Sequence, residues 1–153
     1  MLHKNRLFTP GPTPLLPAAQ TAMRVIAGKY RSRPLRSLRG MDIRPTSDRL
    51  RETLFNILSA GNSNALEGSV WLDLFAGTGA VGIEALSRGA KEVHFVESSS
   101  AAAEMIRRNL HSLGISTGYN ILQDELPRAF WRMASPSGAI SATNSSTFLC
   151  CYY

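Results

Sequence analysis

Short apolar runs alternate with amphipathic segments over residues 70–122, and this alternation predicts a β-α-β-α-β unit. The predicted strands are Val70–Phe75, Glu92–Val96 and Tyr119–Leu122, and the predicted helices are Ala80–Ser87 and Ala101–Leu113. Glycines follow both helices, as is common at helix C-termini. Strands that alternate with helices of this length are typical of a parallel, doubly wound sheet in an α/β fold.

A further helix is predicted upstream, after the segment Arg44-Pro45-Thr46-Ser47-Asp48. Thr46 or Ser47 can cap it, because a hydroxyl accepts a hydrogen bond from a backbone N–H of the first turn. The apolar positions recur at helical spacing and predict its buried face: Leu50, Leu54, Ile57 and Leu58.

The two ends of the chain lack this periodicity. Residues 1–22 contain four prolines and are expected to be a disordered leader, with Met23 as a candidate native start. No charged residue follows Arg132, and seven of the fourteen residues at positions 134–147 are Ser or Thr. We therefore expect the tail not to continue the sheet, so that a fourth strand is missing. A frameshift or a misassigned gene end after Leu126 would explain the change in composition, and the alternative is a genuine short form of the protein.

Composition limits the class of protein. With 153 residues, 44% hydrophobic and 18% charged, the chain has room for one core, which argues against collagen, coiled coil and complete disorder. No apolar run is long enough to span a membrane. The two cysteines, Cys150 and Cys151, are adjacent, which rules out a disulfide framework and fits a reducing cytosol.

Positive charge is concentrated in one segment. The formal net charge is +6, and residues 24–51 hold nine basic and two acidic groups, whereas residues 52–153 hold six basic and nine acidic groups. Such a basic arm is either a solvated surface or a segment that neutralises phosphates. The second interpretation indicates a nucleic acid partner.

The sharpest local motif runs from Asp73 to Gly82 and contains Gly77-x-Gly79-x-x-Gly82 after a predicted strand. Glycines there allow a tight strand-to-helix turn and close approach of a ligand to the backbone. Glu97 follows Gly77 by 20 residues, at the end of the next strand, where a carboxylate can accept both ribose hydroxyls of an adenosine. The pattern indicates an adenosine cofactor, either a nicotinamide dinucleotide or S-adenosylmethionine, against the alternative of a turn without ligand.

Two aspartates bear on this choice. Asp73 would repel a pyrophosphate but suits the α-ammonium of a methionine moiety. Asp124 follows the third strand and is either an acceptor for an adenine amino group or a plain loop acid. The remaining acids and the histidines are given no site role: Glu84, Glu92 and Glu104 are interpreted as solvated charges, and His3, His94 and His111 have no metal-ligand spacing.

Four segments together resemble the RsmD family of bacterial methyltransferases. They are Met23-Arg24-Val25-Ile26-Ala27-Gly28-Lys29-Tyr30-Arg31-Ser32-Arg33, Arg44 to Glu52, Leu72 to Gly79, and Glu84-Ala85-Leu86-Ser87-Arg88-Gly89-Ala90. The resemblance implies a Rossmann-like class I fold, S-adenosyl-L-methionine as cofactor, and methylation of a guanine N2 in small-subunit ribosomal RNA. It also implies two sets of residues: a cofactor set of Asp73, Phe75, Gly77, Gly79, Glu97 and Asp124, and an RNA-facing set of Arg24, Lys29, Arg31, Arg33, Arg44, Arg49 and Arg51.

One family motif is missing. In the family a fourth strand ends in Asn or Asp, Pro-Pro and an aromatic residue, which hold the target amine and stack on the base. Here the corresponding region reads Leu149-Cys150-Cys151-Tyr152-Tyr153. We therefore assign no catalytic residue and expect this chain to be impaired. The alternatives are a non-catalytic cofactor- or RNA-binding remnant and, less favoured, an NAD-dependent oxidoreductase.

These interpretations give a predicted organisation. Residues 1–22 form the leader, 23–60 a basic RNA-facing arm and helix, 66–126 the cofactor-binding half of an incomplete parallel sheet, and 127–153 an aberrant low-complexity tail. The expected partner is ribosomal RNA or an assembling small ribosomal subunit, in the cytoplasm, with no membrane or metal. If complete, the protein is expected to be a monomer.

Overall fold

A computed structural model describes residues 23–37, 47–62, 64–125, 128 and 147–151 of the chain. Within them, helices and parallel strands alternate as in an α/β fold. The elements in chain order are α1 (Asp48–Leu58), β1 (Val70–Leu74), α2 (Ala80–Ser87), β2 (Glu92–Val96), α3 (Ser100–Ser112), β3 (Tyr119–Leu122) and β4 (Thr147–Cys151).

The four strands form one parallel sheet in the order β3-β2-β1-β4. The register pairs Leu74 with Val96 on one side and with Cys151 on the other. Because all strands run in the same direction, their carboxyl ends meet at one edge of the sheet, where α/β proteins bind ligands. The parallel sheet predicted from the alternating pattern is confirmed.

The expectation that no fourth strand follows is wrong. β4 pairs with β1 along its whole length, from Val70 opposite Thr147 to Leu74 opposite Cys151. The expectation relied on the Ser/Thr-rich composition of the preceding residues. The strand itself begins with Thr147-Phe148-Leu149, residue types that favour strands. The edge of β1 is therefore paired.

The predicted helix and strand boundaries agree with the structure to within one residue. β1 ends before Phe75, because that residue adopts a positive φ of 58° and leaves the extended conformation. α3 begins at Ser100, and the Ser99 side chain caps it by accepting a hydrogen bond from the Ala102 N–H.

α1 has the predicted cap and a buried face that agrees only in part with the predicted one. The Ser47 hydroxyl accepts from the Leu50 N–H at 3.2 Å. Leu50 and Ile57 are 51% and 68% exposed, whereas Arg51 and Phe55 are buried. The prediction is wrong for Leu50 and Ile57 but confirmed for Leu54 and Leu58, which are partly buried and pack against the core. The buried face also includes Phe55, which stacks on Trp71 at 5.2 Å, and Arg51, whose guanidinium donates to the Arg24 carbonyl.

The close contact of α2 with the sheet explains the third glycine of the motif. A Cβ atom on Gly82 would lie 2.3 Å from a ring carbon of Phe95 and 2.7 Å from a methyl of Val93, both in β2. A side chain at this position would push the helix away from the sheet.

In the described part of the chain, every helix is too short or too polar to cross a membrane.

Candidate functional site

The loop between β1 and α2, residues 75–79, forms the centre of the candidate cofactor site and is called the glycine loop below. Gly77 and Gly79 both have positive φ values, 55° and 75°, and Gly79 is the N-terminal cap of α2. The Ala76 N–H donates to the Val96 carbonyl at 3.0 Å, and the Gly79 N–H donates to the Ala76 carbonyl at 2.7 Å. The loop is therefore fixed to β2 and folded tightly on itself.

Glu97 lies directly against this loop. One carboxylate oxygen accepts from the Gly77 N–H at 2.8 Å, and the other accepts from the Ser99 N–H at 2.8 Å. The contact follows from the register, because Leu74 and Val96 are paired and the next residues of both strands leave the sheet side by side. The structure thus brings together the two groups that the 20-residue spacing links. Each oxygen retains a lone pair for a further donor, such as a ribose hydroxyl.

Asp73 is buried beneath the glycine loop. Its Oδ2 accepts from the Gly82 N–H at 2.9 Å and so joins β1 to α2. The pKa of Asp73 is raised to about 7. Burial is the largest cause, the hydrogen bond from the Gly82 N–H acts in the opposite direction, and the negative charge of Glu97 raises the pKa further. An ammonium group brought by a ligand would favour the ionised carboxylate.

The other two predicted cofactor residues lie at the same edge of the sheet. Asp124 follows β3, and the preceding strand end is adjacent to Glu97, whose N–H donates to the Leu122 carbonyl at 3.0 Å. The Asp124 carboxylate accepts from the Glu125 N–H at 2.9 Å. Phe75 begins the glycine loop and is 49% exposed. The structure therefore places the six predicted cofactor residues on β1, the glycine loop and the ends of β2 and β3.

This set of groups fits an adenosine cofactor. The Glu97 carboxylate is partly exposed, and the two neighbouring glycines with positive φ present the backbone without side chains. In the described residues, no group of three or more His, Cys, Asp or Glu side chains could hold a metal ion.

A second feature, residues 23–35, forms a hairpin that packs on α2 and is called the basic hairpin below. Its two arms pair through the Val25 N–H, which donates to the Arg33 carbonyl at 3.0 Å, and the Leu35 N–H, which donates to the Met23 carbonyl at 2.7 Å. Met23, Val25 and Leu35 are buried in the core. The hairpin is therefore part of the folded domain.

The basic hairpin is anchored by Glu84, which the sequence analysis interpreted as a solvated charge. That interpretation is wrong, because the side chain is fully buried. Its carboxylate accepts from the Ile26 and Ala27 N–H groups at 2.8 and 3.0 Å and pairs with Arg88 at 2.8 Å. A lone acid among the apolar residues of α2, with an arginine four positions later, was the available signal.

A second anchor lies at the turn of the hairpin. Lys29 donates its N–H to the Ser87 carbonyl at 2.7 Å, and Tyr30 donates its N–H to the Ser87 hydroxyl at 3.0 Å. Gly28 has a φ of 79°, and a Cβ atom there would lie 1.8 Å from the Ser87 carbonyl oxygen. Only glycine fits at this contact.

The predicted RNA-facing residues divide into three groups. Exposed side chains are found on the basic hairpin at Arg24, Lys29, Arg31 and Arg33, and on α1 at Arg49. Arg44 lies outside the described residues. Arg51 is buried and is a correction: its guanidinium donates to Asp48 at 2.6 Å and to the Arg24 carbonyl at 2.8 Å, so in this structure it holds α1 against the hairpin and does not face solvent.

Asn109 was missed by the sequence analysis and connects the two features. This buried α3 side chain donates to the Thr78 carbonyl of the glycine loop at 2.9 Å. It also donates to the Arg36 carbonyl at 3.1 Å and accepts from the Arg36 N–H at 2.8 Å. The segment that follows the basic hairpin is thereby fixed to the glycine loop. Asn109 lies among charged residues at the end of a helix, so nothing in the sequence indicates that its side chain is buried and bonded to two other segments.

The described part of the chain has the fold of solved proteins that are named as methyltransferases. The Escherichia coli candidate methyltransferase yhhF superposes with a TM-score of 0.62 at 30% identity, covering 73% of this chain and 57% of that one. The candidate methylase HI0767 of Haemophilus influenzae gives a TM-score of 0.55 at 33% identity, covering 76% and 58%.

The chain belongs to the family described as "Conserved hypothetical protein 95", whose model matches residues 23–140. Ribosomal RNA small subunit methyltransferase D of Haemophilus influenzae is 44% identical over 101 residues, which are 66% of this chain and 50% of that protein. The protein of the same name from Escherichia coli K12 is 41% identical over 91 residues, 60% of this chain and 44% of that one. The resemblance to the RsmD family is confirmed, and the chain spans about half the length of the curated relatives it matches.

Proposed function

We propose that this chain carries the cofactor-binding half and an RNA-facing surface of a ribosomal RNA methyltransferase that uses S-adenosyl-L-methionine. The observation that supports the proposal is the 2.8 Å contact between the Glu97 carboxylate and the Gly77 N–H, because a carboxylate beside the glycine loop is suited to accept from ribose hydroxyls. The relatives named for small-subunit ribosomal RNA methylation supply the reaction class. The proposed target is a guanine N2 of that RNA.

The proposed roles follow the geometry of the loop. Glu97 accepts the ribose hydroxyls, Gly77 and Gly79 allow the cofactor to approach the backbone, and Asp124 accepts from the adenine amino group. Asp73 is proposed to attract the α-ammonium of the methionine moiety with its carboxylate, which the ammonium charge would favour in the ionised form. Phe75 is proposed to cover the cofactor with its exposed ring. S-Adenosylmethionine supplies an activated methyl group, and the protein has to hold an acceptor amine in line with it.

The basic hairpin is proposed to bind the RNA backbone. Arg24, Lys29, Arg31 and Arg33 are exposed on it, and Arg49 is exposed on α1 nearby; Arg44 completes the proposed set. Because guanidinium and ammonium groups neutralise phosphates whatever the base, these residues would fix the position of the RNA without reading its sequence. The proposed partner is ribosomal RNA or an assembling small subunit, met by a monomer in the cytoplasm.

The test is a methyl-transfer assay with the full chain, radiolabelled S-adenosylmethionine and small-subunit ribosomal RNA that lacks its modifications. Transfer that yields N2-methylguanosine on nucleoside analysis supports the proposal. Transfer to another nucleoside would contradict the guanine N2 target. No binding of S-adenosylhomocysteine by calorimetry, or tighter binding of NAD, would contradict the cofactor assignment and favour an oxidoreductase.

A non-catalytic binding protein is the second candidate function, and a specific observation favours it. β4 is the fourth strand along the described chain and lies beside β1, but it ends in Leu149-Cys150-Cys151, whereas the fourth strand of the family ends in the Asn/Asp-Pro-Pro-aromatic motif. These residues offer no carboxylate or carboxamide for a target amine. Binding of S-adenosylhomocysteine and RNA without methyl transfer would support this candidate.

A further inference from the structure

A basic groove lies on the outer face of α3 and is separate from the residues assigned to RNA so far. It is lined by Arg36, Glu104, Arg107, Arg108, His111 and Ser112 and has a volume of about 280 Å³. Five of these residues recur at helical spacing along α3, and Arg36 lies opposite them. All six residues are exposed.

The charge of the groove is positive. Three arginines face one acid, Glu104, which lies 3.6 Å from the Arg107 guanidinium and 3.1 Å from that of Arg108. A single carboxylate thus orients two guanidinium groups without neutralising both. Guanidinium groups retain free N–H donors in such pairs, and their planar arrangement suits phosphate oxygens.

The groove has a rigid wall that is continuous with the basic hairpin. Two hydrogen bonds fix the backbone of Arg36: its N–H donates to the buried Asn109 side chain and its carbonyl accepts from it. The same Asn109 side chain also donates to the Thr78 carbonyl of the glycine loop. On the other side, the Arg33 guanidinium of the hairpin donates to the Ser112 carbonyl at 3.0 Å. The exposed cations of the hairpin and those of α3 therefore form one surface.

We propose that this groove binds a phosphate of the RNA backbone and extends the RNA interface from the basic hairpin onto α3. The inference rests on the proposed RNA substrate. Continuity with the hairpin and the surplus of guanidinium groups favour nucleic acid over an acidic protein, because phosphates at regular intervals along one strand would meet both surfaces.

The test measures binding of the full chain to a fluorescently labelled RNA stem–loop over a series of salt concentrations. The variant Arg107→Gln/Arg108→Gln removes the groove cations and keeps good helix formers. We expect its dissociation constant to rise about five- to twenty-fold at low salt, and the slope of log affinity against log salt to become shallower by about 1 to 2. The control Lys91→Gln removes an exposed cation elsewhere and is expected to leave the affinity within about twofold.

A hairpin variant, Lys29→Gln/Arg31→Gln, separates the two hypotheses. If the hairpin variant weakens RNA binding and the α3 variant matches Lys91→Gln, the groove inference is wrong while the proposed function stands. If neither variant weakens binding, the proposed RNA surface fails as a whole. Because the substituted side chains are exposed, we expect every variant to retain the fold. Circular dichroism melts of all variants check this.

Discussion

Replacement of Glu84 by Gln tests whether one buried carboxylate attaches the basic hairpin to the domain. Three donors converge on this carboxylate: the Ile26 and Ala27 N–H groups and the Arg88 guanidinium, at 2.8–3.0 Å. Gln offers one acceptor oxygen, and its NH₂ group would face a donor. The isosteric substitution therefore leaves at least one buried donor without an acceptor.

The magnitude follows from the burial of the group. An orphaned buried N–H costs about 1–3 kcal/mol. Removing one partner of a buried ion pair costs about 3–5 kcal/mol, and Arg88 would be left largely buried over the Phe55 ring. Because these costs overlap, we expect the free energy of unfolding to fall by about 3–4 kcal/mol.

The assay is urea denaturation followed by tryptophan fluorescence, to which Trp71, buried against Phe55, contributes together with Trp131. Hydrogen exchange of the Ile26 and Ala27 amides reports the hairpin directly. The matched control is Glu104→Gln, which removes an exposed acid that also pairs with arginines three and four residues on and is expected to cost under about 1 kcal/mol. A loss at Glu84 as small as that of the control, with unchanged exchange at both amides, would refute the anchoring role.

Three further predictions concern the turn, the buried acid and the loop aromatic. Gly28→Ala is expected to displace the hairpin from Ser87 and weaken RNA binding several-fold while the affinity for S-adenosylhomocysteine stays within twofold; equal loss of both would contradict it. Since the pKa of Asp73 is raised to about 7 in the folded protein and its ordinary value is 3.8, the folded state holds the proton more tightly. Stability is therefore expected to fall as pH rises from about 4 to about 7, and a pH series of urea midpoints should flatten over this range in Asp73→Asn. Phe75→Gly removes the conformational strain of a non-glycine residue at positive φ, about 1 kcal/mol, and should not lower the thermal midpoint. The same substitution should weaken cofactor binding measured by calorimetry, and unchanged affinity would remove Phe75 from the site.

The sequence was sufficient to predict the elements whose signal is local. Strands β1 to β3 and helices α2 and α3 are marked by apolar periodicity, and Ser47 is marked by its hydroxyl before a helix. The link between Glu97 and the glycine loop was also predictable, because strand–turn–helix geometry fixes where the next parallel strand must end.

The features that depend on distant contacts could not be predicted. Glu84 and Arg51 are charged residues whose burial is stabilised by backbone groups 57 and 27 positions away, so their own surroundings in the sequence indicate solvent. β4 is a strand because β1 offers it an unpaired edge, and its pairing partner is far away in the sequence. Asn109 joins three segments for the same reason.

The most direct test of the central claim is calorimetric titration of the full chain with S-adenosylhomocysteine, compared with Glu97→Ala and the exposed-acid control Glu104→Ala. We expect saturable binding that Glu97→Ala weakens by about 1–3 kcal/mol, the cost of losing hydrogen bonds to a charged acceptor, and that the control leaves unchanged. Equal affinity of the wild-type chain and Glu97→Ala, or tighter binding of NAD than of S-adenosylhomocysteine, would contradict the assignment of this loop to a methyltransferase cofactor.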